Sequence, residues 1–133
     1  MASRTDMTTT AIQVEIAERL CFANGLLTTG TPSTGIWPKC CAWLLRTSLE
    51  RAVAALHRAH HEPSISMRTD LLTLGLYVDP PLAHHTARLW STLSVVANNT
   101  DYAQAPTVEQ LRGWHCETAK VTAGLLTALA TAS

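Results

Sequence analysis

Charge is scarce in this chain. Asp, Glu, Lys and Arg make up 15% of its 133 residues, against the roughly 25% of an ordinary soluble domain. The two signs cancel at ten residues each, so no global field gathers nucleic acid or an acidic membrane surface. Long apolar runs are missing as well. None approaches the ~18–20 residues that cross a bilayer, and the opening MASRTDMTTT lacks the apolar segment of a secretory signal. The expectation is a cytoplasmic protein with no membrane partner. The four cysteines, Cys21, Cys40, Cys41 and Cys116, show neither C-x-x-C spacing nor a disulfide framework. They predict buried free thiols packed as small hydrophobes, with no structural metal and no cofactor. No Gly-rich phosphate loop, paired-carboxylate motif, G-x-S-x-G elbow or basic stripe is present.

What is present is apolar surface in helical register. Apolar residues reach 47%, and five segments carry them at three- and four-residue steps, none with strand alternation. The first, 10–27, aligns Ile12, Ile16, Leu20, Ala23 and Leu27. The second opens at Trp37–Pro38, where a proline suits the first helical turn, and ends before Pro63. His57, Arg58, His60 and His61 fall near its end, where positive charge favours the helix dipole. The third, 64–77, offers Ile65, Leu71, Leu72, Leu74 and Leu76. The fourth follows Asp79 and Pro80 with Leu82, Thr86, Leu89, Leu93 and Val96. The fifth begins at Thr107-Val-Glu-Gln110, a capping-box pattern, and continues through Leu111, Trp114, Thr118, Val121, Leu125 and Leu129.

Short connections between such helices favour antiparallel neighbours, and 133 residues suffice for one core. The fold class expected is all-α, about five antiparallel helices in an up-and-down bundle, with 1–9 a flexible tail and 10–133 a single domain. So few charges cannot coat five helices, which favours a homo-oligomer, most simply a dimer.

Chemistry is harder to place. His60–His61 and His84–His85 are adjacent pairs, whose side chains diverge by about 100° around a helix. His57 and His61 have i, i+4 spacing but no third ligand, so solvated or capping histidines are expected and a metal site is not. Trp37, Trp43, Trp90 and Trp114 lie on or beside apolar stripes and read as core. Asp70 and Asp79 are isolated, and Arg46, Glu50 and Arg51 read as a surface charge set.

The order WLLRTSLERAVAAL, ARLWSTLSVV, a polar break at 97–106, then YAQAPTVEQLRGW resembles small bacterial helical proteins of the HEPN superfamily over residues 37–125. The resemblance implies a dimerising helical bundle, found among ribonucleases of toxin–antitoxin and phage-defence systems and among inactive binding modules. The superfamily's motif is an arginine followed after four to six residues by a histidine. Arg88, nearest the break, has no such histidine, and the match in this chain is Arg51 with His57. In a continuous helix those two differ by about 240° in direction and 9 Å in height, so they meet one phosphate only across a dimer. Three readings stand. The first is a non-catalytic interaction module acting through a dimer or a protein partner. The second is a ribonuclease using Arg51 and His57 across a dimer interface, although RNA is not indicated by charge. The third is a small-molecule-binding bundle. Contact candidates near the break are Asn98, Asn99, Asp101 and Tyr102, with Arg88 and Trp90 on the preceding helix.

Overall fold

The computed structural model describes residues 4–29, 37–98 and 106–132. These form α1 (Arg4–Thr29), α2 (Trp37–Ala59), α3 (Met67–Thr73), α4 (Pro80–Asn98) and α5 (Val108–Thr131), with one 3-10 turn at Leu74–Leu76. No strand occurs among the described residues, so the all-α expectation holds. α2 packs against every other helix. Its apolar residues Cys41, Leu45, Leu49, Ala52, Val53 and Leu56 are all essentially without solvent exposure. Each fully buried leucine there contributes roughly 1.5–3 kcal/mol.

The polar links between helices give their directions. Cys41 Sγ approaches the Ala23 carbonyl at 4.0 Å, Arg19 donates to the Thr47 carbonyl at 3.0 Å, and Arg51 reaches Glu15 at 2.8 Å. Numbers rise on one helix as they fall on the other, so α1 and α2 are antiparallel. His115 Nε2 donates to the Leu20 carbonyl at 2.9 Å, while Leu129 and Thr131 meet Thr9 and Ile12 at the far end, which makes α5 antiparallel to α1. α4 opposes α5 in the same way: Leu82 lies over Gly124, and His85 meets Glu117 at 3.5 Å. The fit is close: a Cβ on Gly124 would stand 3.0 Å from Leu82 Cδ2, so the leucine end would have to shift by a few tenths of an ångström to admit it. α2 and α5 thus form a parallel central pair flanked by α1 and α4.

Local chemistry sets the helix ends. Thr107 Oγ1 accepts the Gln110 amide at 3.1 Å, and Gln110 Oε1 accepts the Thr107 amide at 2.9 Å, which completes the capping box expected there. At the end of α2, Glu62 N–H donates to the His57 carbonyl at 2.9 Å and His61 N–H to the Arg58 carbonyl at 3.0 Å. That is a Schellman closure with His61, at φ 61°, in the left-handed position that glycine usually fills.

Five expectations are corrected. α1 starts at Arg4, not near residue 10, so most of the stretch read as a flexible tail is helical. Thr9 is buried one turn before Ile12 and Ile16, extending their stripe with a compact polar residue. The third segment is not one long amphipathic helix. Its inward face is Met67, Asp70, Leu71 and Leu74, so Ile65, Leu72 and Leu76 stand out in solvent. Asp70 is not isolated: it is buried, accepting from Ser64 Oγ at 2.7 Å and from the Ile65 amide at 3.4 Å. Finally, only Cys41 of the four thiols is buried, and Trp43 is half exposed. Cys40 and Trp43 occupy the part of α2 that α1, α4 and α5 leave uncovered.

Candidate functional site

At the end of the bundle where α2 and α5 finish and α1 begins lies an open groove of about 1150 Å³. Its apolar floor includes Ile12, Ala55 and Leu129, residues of the core or its margin. Its rim carries Arg51, Arg58, His60 and His61. Helix spacing explains part of this convergence: 51, 55 and 58 fall at i, i+4 and i+7 on one face of α2. The turn after Ala59 then brings the two histidines to the same rim.

The rim cations differ in what they already hold. Arg51 is committed to Glu15 through its Nε at 2.8 Å, and Arg19 meets the same carboxylate at 3.1 Å. The hydrogen bond from Arg51 holds the Glu15 carboxyl below its usual range. Arg58 is exposed and has no ion pair among the described residues. His60 stacks on Tyr77 with ring centroids 4.2 Å apart and planes 17° from parallel.

His57 faces away from this groove. The ring is 2% exposed, with Nδ1 3.0 Å from the Val53 carbonyl and Nε2 2.9 Å from Thr73 Oγ1. A carbonyl only accepts, so Nδ1 donates to Val53, while Nε2 pairs with the Thr73 hydroxyl, which also lies 3.3 Å from the Asp70 carbonyl. Tyr77 meets the ring edge-on at a centroid distance of 5.1 Å. His57 therefore fastens α2 to α3 and has no free nitrogen to offer a substrate.

The structure separates the sequence-predicted pair. Arg51 turns to α1 and the groove, while His57 turns beneath α3. Of the contact candidates, Arg88 and Asn98 are exposed on α4. Trp90 is half-buried, its Nε1 donating to Glu50 at 3.1 Å beside the Arg46–Glu50 pair at 3.4 Å. That bond occupies the indole polar edge. Asn99, Asp101 and Tyr102 lie outside the described residues. Sequence reasoning placed Arg58, His60 and His61 at the favourable end of the helix dipole and read the histidines as solvated or capping, because their meeting with α1 and α5 is a tertiary fact. Among the described residues no group of three or more His, Cys, Asp or Glu could hold a metal ion. None of the helices among them is long and apolar enough to cross a membrane.

Fold and site together define an all-α helical bundle with a basic-rimmed end groove and an exposed apolar edge at α3. Comparison with known proteins adds no relative: no family model, no curated protein and no solved structure matches the chain.

Proposed function

We propose that the protein is a non-catalytic helical interaction module, cytoplasmic, that pairs with a second copy of itself through the α3 edge. One observation carries this reading. Ile65, Leu72 and Leu76, just before α3, on it and in the 3-10 turn after it, are 75%, 85% and 78% exposed, and Leu72 and Leu76 are the exposed leucines among the described residues. Beside it is a cleft of about 450 Å³ lined by Leu76, Leu82, Gly124 and Ala128. A protruding leucine next to a small-residue cleft is self-complementary, as a two-fold interface requires. The neutral net charge leaves no self-repulsion to overcome. This agrees with the inactive, dimeric members of the HEPN superfamily that the helix order resembles, and with a role beside a toxin–antitoxin or defence system in a bacterium.

The ribonuclease reading needs Arg51 and His57 free to act, and the commitments of both side chains weigh against it. Light scattering on the native chain tests the proposal. A particle of twice 14.4 kDa at tens of micromolar is expected, reverting to one chain in Leu72→Asp or Leu76→Asp with helical content unchanged. A wild-type particle of one chain mass refutes it. RNA cleavage by the pure protein, abolished in both Arg51→Ala and His57→Ala, would promote the enzyme.

A further inference from the structure

The end groove combines two surfaces that a helical bundle has no structural need to combine. Its floor is apolar, with Ile12 and Leu129 at its base, and its rim is cationic. Arg58 adds a charge with no counter-ion among the described residues. Among the described carboxylates nearby, Glu15 is engaged by Arg51 and Arg19, and Glu62, one residue beyond His61, is not part of the groove. His61 is a second and independent sign. A non-glycine residue in the left-handed region costs about 1 kcal/mol or more, and glycine would close the α2 end at no such cost. The histidine instead puts an imidazole on the groove rim beside Arg58.

We propose that this groove binds an amphiphilic organic anion, a phosphate or carboxylate head on an aliphatic or aromatic body. The head meets Arg58, with His61 as a second donor. A guanidinium presents paired N–H groups that match either oxyanion in a two-point contact. The body lies over the apolar floor, where the edges of the buried Ile12, Ala55 and Leu129 reach the groove and half-buried Ala59 and Ala132 add apolar surface. Arg51 holds one wall in place through Glu15 and is not the primary contact. The groove shares no lining residue with the cleft at the α3 edge, the His60–Tyr77 stack being the link between them, and ligand binding is read separately from particle mass.

Titration of the isotope-labelled full chain by NMR tests this, with octyl phosphate, octanoate, octanol and inorganic phosphate as probes. Octyl phosphate or octanoate should bind saturably, at least tenfold more tightly than octanol and than inorganic phosphate. The shifted amides should cluster at 12, 55, 58–61 and 129. Arg58→Ala should weaken the anionic amphiphile about tenfold and leave octanol unchanged. The substituted side chain is exposed, so the fold is expected to survive, and an unchanged amide spectrum elsewhere checks this. His61→Gly should also weaken binding while raising thermal stability, a combination that a purely structural histidine would not give. Octanol binding as tightly as the anions, binding unaffected by Arg58→Ala, or shifts confined to another face would overturn the proposal. A short RNA that displaces octyl phosphate from the same residues at lower concentration would overturn it in favour of nucleic acid.

Discussion

Replacing Thr73 by valine isolates the tie that holds α3 to the central helix. Valine keeps the branched shape and removes the hydroxyl that pairs with His57 Nε2 at 2.9 Å and donates at 3.3 Å to the Asp70 carbonyl of its own helix. An average hydrogen bond of this kind is worth about 0.5–1.5 kcal/mol net. Two features place the cost within that span. The imidazole is 2% exposed, so its nitrogen loses a partner that bulk water replaces poorly. Thr73 itself is at the surface, which lets some water in and holds the loss to about 1 kcal/mol. His57→Phe keeps the ring volume and the edge contact with Tyr77 but removes both nitrogen bonds. The Val53 carbonyl is then left with the backbone bond of its own helix. In that background Thr73→Val should be nearly neutral, giving a coupling of about 1 kcal/mol in the double-mutant cycle. Thr73→Ser should restore wild-type stability. Urea denaturation followed by circular dichroism measures all four variants. Equal costs of Thr73→Val with and without His57 would refute the assignment of this histidine to the architecture, and would reopen a chemical role for it.

Three other outcomes are expected. Thr107→Ala should lower stability by about 0.5–2 kcal/mol, measured by the same denaturation, since the Gln110 amide loses its acceptor; a neutral result would place the start of α5 elsewhere. At pH 8 a chromogenic disulfide reagent should titrate Cys21, Cys40 and Cys116 in the native protein and reach Cys41 only on unfolding. Burial, with Cys40 beside it, pushes the Cys41 thiol up to about 11; four thiols reacting at one rate would contradict this. Glu15→Gln should destabilise at pH 7 by at most about 1 kcal/mol, because the ion pairs are partly exposed. The folded carboxyl is lowered by Arg51, so its stabilisation is complete above the ordinary value of 4.5. It fades as pH falls through the lowered folded value, and the variant and wild type should converge there in acid.

Much of the fold is legible in the chain because long helices repeat one message many times. α4 shows Thr86, Leu89 and Leu93 on a single stripe, and all three are buried. α5 announces its first turn through Thr107 and Gln110, whose partners are three residues apart. Legibility fails where a short element takes its orientation from elsewhere. Six apolar residues from 65 to 76 outweigh Asp70 in any periodic reading, yet Asp70 faces inward because Ser64 and the Ile65 amide meet its carboxylate. Trp43 reads as core, and its exposure follows from which sides of α2 the other helices cover. The end groove is the extreme case. Its residues come from positions 8–12, 51–61 and 129–132, and no local pattern joins them.

The central pairing of α2 with α5 also bears on how the protein is made. The face of α2 formed by Leu45, Leu49, Ala52 and Leu56 leaves the ribosome well before α5, and translation proceeds at roughly 5–20 residues per second. For some seconds the helix that supplies most of the final core has α1 against one side and nothing where α5 will sit. Those long-range contacts have to wait for the last quarter of the sequence. Folding is then a late, largely post-synthetic event, and holdase chaperones meet a defined greasy stripe in the interval. A chain terminated before Leu111 keeps that stripe permanently, which makes it a substrate for proteolysis and aggregation in place of a smaller stable bundle.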